Sequence, residues 1–210
     1  MSKTYAIADL HGRFDLLEMA LARITERAEP PATLVTLGDY VDRGPDSRKI
    51  IERLMAGLGC DGWRLICLKG NHEDIMWQTC RRLPGVDWWI TNGGSATLIS
   101  YGQQERDQAD VAVVPASHLD WIEQLPLMHV DTHRVFVHAG IDPNCSLNEQ
   151  DAEDVALQLP SLTTARLGGQ SKFSKSTASR SRRWRSTAMP IALSMSAFGG
   201  KADMVCSYCF

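Results

Sequence analysis

The chain has 210 residues, with 22 Lys or Arg against 25 Asp or Glu, a net charge of −3 and 44% hydrophobic residues. That length can bury one sizeable core, and the near-even charge balance gives no reason to expect a polyanion as a general partner. No apolar run nears the roughly 18–20 residues of a membrane span, and the opening MSKTYAIADLHG lacks a secretory layout, so a cytoplasmic protein is expected.

In chain order, TYAIAD (residues 4–9) is short, apolar and strand-like. Residues 14–28 then place Leu16, Leu17, Met19, Ala20 and Ile24 at helical spacing, and EPP stops the helix. ATLVTLGD (32–39) is the second strand. DSRKIIERLMAGL (46–58) is the next helix, with Asp46 or Ser47 as N-cap. WRLICLKGN (63–71) is a strand, HEDIMWQTCRRL (72–83) and HLDWIEQLP (118–126) are helices, and HRVFVHAG (133–140) is a fourth strand. Strands alternating with helices predict an α/β domain over residues 1–155, a mainly parallel sheet covered on both faces. Six cysteines at irregular spacing read as free thiols. Cys206 and Cys209 form a C-x-x-C without a second ligand pair, which does not make a zinc or redox site.

The character changes beyond residue 155. Residues 160–210 hold eight Lys or Arg but one Asp and no Glu, and SKFSKSTASRSRRWRST has no apolar periodicity. Residues 156–210 are therefore expected to be a disordered tail or the product of a shifted reading frame. A basic arm for nucleic acid is the weaker reading: Trp184 sits among arginines, but no folded platform surrounds it.

Four strand ends carry unusual chemistry: Asp9 and His11 in ADLHG, Asp39, Asp42 and Arg43 in GDYVDRG, Asn71 and His72 in GNHED, and His138 in HAG. Alone, an Asp at a strand end is a cap and a His in a loop is solvated. Together they form a set, because the carboxyl ends of parallel strands share one edge. Carboxylate, imidazole and amide oxygen suit manganese, iron or zinc. Asp9 and His11 reach one ion from a short loop, Asp39 can bridge two ions about 3.5–4 Å apart, and Asn71 and His138 hold the second. Arg43 suits phosphate oxygens. His72 can protonate a leaving alkoxide, with Asp42 orienting the ring.

These motifs resemble the phosphoprotein phosphatase family of the calcineurin-like metallophosphoesterases, especially its bacterial members, whose pattern runs GD-x-HG, GD-x-VDRG, GNHE, HG. GDYVDRG and GNHE match in full, while ADLHG carries Ala8 in place of the first glycine. NGGSATLISYG (92–102) resembles an insert between the third and fourth motifs. The resemblance implies an α/β/β/α sandwich, here with an incomplete second sheet. It also implies hydrolysis of phosphate monoesters by water activated at two divalent ions, manganese by preference, with phosphoserine or phosphothreonine proteins as substrates. By motif match, Asp9, His11 and Asp39 hold one ion and Asp39, Asn71 and His138 the other. Arg43 and Asn71 hold the substrate phosphate, and His72 is the proton donor backed by Asp42. Glu73 and Asp74 read as helix-start carboxylates favoured by the dipole, and His118, His129 and His133 as ordinary residues. The family has one further metal-binding His after HAG, and no His follows His138. Weak or absent turnover is therefore expected. A symmetrical dinucleoside tetraphosphate hydrolase and a non-catalytic remnant or binding module are the alternatives.

Overall fold

The computed structural model describes residues 3–82, 85–141, 146–150 and 191–192. Three parallel strands form the first sheet in the order β1 (Lys3–Ile7), β2 (Ala32–Thr36), β3 (Trp63–Cys67). Their near-continuous apolar runs follow from burial on both faces. Tyr5, Ile7, Leu34, Trp63, Leu65 and Cys67 point to the helix-covered side. Ala6, Val35, Leu37, Ile66 and Leu68 point the other way, where they meet Phe136. The period of two in a strand divides one apolar run between two cores.

Helices α1 (Phe14–Arg27), α2 (Ser47–Met55), α3 (Asn71–Arg82), α4 (Val86–Trp89), α5 (Ser95–Ser100) and α6 (Ala116–Gln124) follow the strands, with a kinked turn Ile90–Gly94 joining α4 to α5. Leu17, Leu21 and Ile24 are the buried stripe of α1, and Ile50, Ile51 and Leu54 that of α2. Asp46 takes the N-cap position of α2, but its side chain makes no cap hydrogen bond and pairs instead with Lys49 at 2.7 Å. Ser47 is turned inward, to the loop bearing Asp42.

The fourth predicted strand is found as β5 (Val135–Val137), but it does not extend the first sheet. It pairs antiparallel with β4 (Met128–Val130), which the sequence reading did not identify, and parallel with β6 (Ile191–Ala192). The three-residue apolar run of β5 is too short to carry a topology signal; the packing of Phe136 on Val35, Leu37 and Leu68 decides its place. The two sheets therefore stack, as the resemblance implied. Within the tail predicted over 156–210, Ile191–Ala192 is described as β6; the remainder, with Cys206 and Cys209, lies outside the described residues.

The strand register positions the site. Ile7 pairs with Thr36 and Thr36 with Cys67, so the three strands end level. Asp9, Asp39 and Asn71 follow within a few residues of that line, and His138 follows directly on β5.

Candidate metal centre

All the sequence-predicted site residues stand at this rim. The loop after β2 is unusual: Asp39 (φ 53°), Asp42 (φ 71°) and Arg43 (φ 69°) are left-handed, and so is His11 (φ 41°) across from them. Each such non-glycine residue costs about 1–3 kcal/mol, so something must hold the loop. Glu73 does. It is fully buried, and its carboxylate accepts the N–H groups of Asp39 (2.7 Å), Tyr40 (2.7 Å), Val41 (3.2 Å) and Gly70 (2.9 Å). Hydrogen bonds to a charged acceptor are worth about 1.5–3 kcal/mol each, comparable with the loop's strain. Burial, reinforced by the Asp39 charge, raises the Glu73 carboxyl to about 7 against those donors. The reading of Glu73 as a helix-start carboxylate is thus corrected: its side chain turns from solvent into the loop.

The imidazoles are held in one orientation. His11 Nδ1 lies 2.9 Å from the Val41 carbonyl and His138 Nδ1 2.9 Å from the Leu37 carbonyl. A carbonyl only accepts, so both Nδ1 atoms carry their protons and both Nε2 atoms present lone pairs to the site, the arrangement usual for metal-ligating histidines. Burial lowers the His11 pKa to about 4, outweighing the Val41 bond, so the ring stays neutral. His138 Nε2 then faces Asn71 Oδ1 at 2.9 Å and Asp39 Oδ1 at 3.3 Å. His11 Nε2 faces Asp39 Oδ2 at 3.3 Å. Ligands about 2.0–2.2 Å from one ion are separated by edges of about 3.0–3.4 Å, so these spacings fit a cation. The donor groups also converge in threes, Asp9 with Asp39 and His138, and His11 with Asp39 and His72. Asp39 belongs to both groups, so Asp9, His11 and His138 all gather about its carboxylate. Burial, with a smaller push from the Asp9 charge, raises the Asp39 carboxyl to about 6 against the opposing His72 charge.

His72 stands apart in its bonding. Its Nδ1 donates to Asp42 Oδ2 at 2.6 Å, and its Nε2 accepts from Arg43 Nη2 at 3.0 Å. Burial opposes charge on this ring, but the Asp42 hydrogen bond and the Asp39 and Asp42 charges prevail and raise its pKa. The guanidinium of Arg43, on an exposed residue, spans both rings, with Nη1 2.6 Å from His11 Nε2. Asp42 is fully buried.

The sequence profile of the calcineurin-like phosphoesterases matches residues 2–167. The chain belongs to that family. Among the relatives of this phosphoesterase, a symmetrical bis(5'-nucleosyl)-tetraphosphatase of Pseudomonas putida is 32% identical over 152 residues, 70% of this chain and 45% of its own length. Serine/threonine-protein phosphatase 1 of Salmonella typhimurium is 31% identical over 142 residues, 64% of this chain and 57% of its own. The chain thus spans about half the length of these relatives. A crystal structure named as a candidate diadenosine tetraphosphatase shares the fold, with a TM-score of 0.53 at 22% identity over 74% of this chain and 58% of that one. No described helix is long and apolar enough to cross a membrane.

Proposed function

We propose that this phosphoesterase hydrolyses phosphate esters at a pair of divalent cations, with Asp39 shared between them. The observation that carries this is the position of the Asp39 carboxylate, whose two oxygens each lie 3.3 Å from a different imidazole Nε2. Asp9, His11 and Asp39 would hold one cation and Asp39, Asn71 and His138 the other, with manganese, iron and zinc all suited to the donor set. Cations bound there would acidify water and neutralise phosphate oxygens.

The chain's own residues supply the rest. Arg43 turns from the imidazoles to the substrate phosphate, which it binds with both terminal nitrogens, Nη1 and Nη2; Asn71 adds its amide. His72, once protonated at Nε2, gives that proton to the leaving oxygen, and Asp42 holds the imidazolium through Nδ1. Level strand ends and the Glu73 bonds fix these groups before substrate arrives, so little ordering remains at the reaction step.

Two substrate classes follow from the relatives: phosphoserine or phosphothreonine in a protein, and a symmetrical dinucleoside tetraphosphate. The GDYVDRG and GNHE matches do not separate them; the named serine/threonine-protein phosphatase supports the first, taken as the leading reading, and the named tetraphosphatase supports the second equally. Purified chain with added manganese, assayed on p-nitrophenyl phosphate, a phosphoserine peptide and diadenosine tetraphosphate, separates them. Orthophosphate release from the peptide supports the first, and ADP from the dinucleotide the second. No turnover of any of them, with two cations bound, leaves a binding module or remnant.

A further inference from the structure

Asp42 has more partners than the reaction needs. Trp89 Nε1 lies 3.1 Å from Asp42 Oδ1 and 3.0 Å from Oδ2, and Thr97 Oγ1 donates to Oδ1 at 2.7 Å. The Asp42 N–H donates to Thr97 Oγ1 at 2.9 Å and Ser47 Oγ at 3.1 Å, and the two hydroxyls are 3.1 Å apart. Each hydroxyl has one proton. That of Thr97 is committed to the carboxylate, so that of Ser47 goes to Thr97. The proton order is then fixed, Ser47 to Thr97 to Asp42, with His72 Nδ1 donating to Oδ2 from the other side.

The segment that delivers Trp89 and Thr97 is built onto this loop. Arg43 N–H donates to the Gly93 carbonyl at 3.1 Å. A Cβ on Gly94 would stand 2.5 Å from the Trp89 ring, so only glycine lets the turn seat against the indole. Trp89 and Thr97 are fully buried, and their side chains reach the site by hydrogen bonds to Asp42.

We propose that Trp89 and Thr97 are positioning residues for the proton donor: they pin the Asp42 carboxylate so that Oδ2 alone faces His72, which fixes the Nδ1–H tautomer and aims Nε2 at the site. This rests on the reading of His72 as the group that protonates the leaving oxygen. Without the two donors, the carboxylate rotates, and the ring can take the Nε2–H tautomer or turn away.

The test uses Thr97→Val, Thr97→Ser and Trp89→Phe. Two-bond ¹H–¹⁵N spectra of the zinc-loaded, ¹⁵N-histidine-labelled chain read the His72 tautomer, assigned by its loss in His72→Asn. Thr97→Val and Trp89→Phe are expected to show a mixture of tautomers, and Thr97→Ser to restore the single Nδ1–H form. Turnover by Thr97→Val is expected to fall about 10-fold on phosphoserine and under about threefold on p-nitrophenyl phosphate, whose phenolate leaves without a proton. An unchanged tautomer in folded Thr97→Val, or equal losses on both substrates, overturns the proposal. If Trp89→Phe does not fold, the Thr97 pair decides. If the wild-type chain turns over neither substrate, the functional reading fails, and the tautomer still tests the positioning.

Discussion

Asp39 stands between two imidazoles, its Oδ2 3.3 Å from His11 Nε2 and its Oδ1 3.3 Å from His138 Nε2. One residue thereby links the first sheet's loops to the second sheet. If it bridges two cations, Asp39→Asn loses both, whereas His138→Ala loses one. Manganese stoichiometry by titration calorimetry should fall from about two per chain to none in the first and to about one in the second. Full stoichiometry in Asp39→Asn refutes the shared ligand.

Glu73 is expected to matter through the loop it holds. Glu73→Gln keeps the shape but turns an amide toward backbone donors that can only donate. With an unsatisfied buried group costing about 1–3 kcal/mol, the urea midpoint should fall by the equivalent of about 2–4 kcal/mol. Cation affinity should fall with it, since the Asp39 N–H is one of the four bonds. A wild-type midpoint would show that the left-handed loop stands without its anchor.

Phe136 ties the second sheet to the first, packed on Val35, Leu37 and Leu68 and 2% exposed. Phe136→Ala should cost about 3–5 kcal/mol. His138 lies two residues on, so the cation held by that ring should weaken more than the one held by His11. Equal weakening of both would show that β5 does not set the position of His138.

His118 supplies a pH dependence remote from the rim. It is 7% exposed, with Nδ1 2.8 Å from the Tyr101 hydroxyl, and burial lowers its pKa below the usual 6.5. The unfolded chain therefore binds this proton more readily than the native one. Stability is fully present above pH 6.5 and is lost as pH falls below it toward the native pKa. His118→Gln should lose less stability than wild type between pH 7 and pH 5, read by urea unfolding in the presence of chelator. Parallel losses would show that the buried ring does not contribute.

The motifs made the site chemistry legible in advance because the residues that bear it occur in four short local patterns, each at a strand end. Periodicity likewise marked β1 to β3 and helices α1, α2, α3 and α6, whose faces are buried along their own length. Three features were not legible. β5 has three residues, too few for a period to say which sheet it joins. Glu73 looks like any acidic residue in the first turn of a helix until the Asp39 loop is folded against it. Trp89 and Thr97 lie 47 and 55 residues from the Asp42 carboxylate they bond, so no local pattern links them.

The sequence by itself determined which side chains could ligate a cation and where the strands end, since both depend on near neighbours in the chain. Tertiary structure decided the orientation of those side chains: which nitrogen of each ring faces the site, and which carboxylate oxygen meets it. Those choices are made by backbone carbonyls, buried N–H groups and hydroxyls contributed from distant segments, and only packing brings them within hydrogen-bond reach.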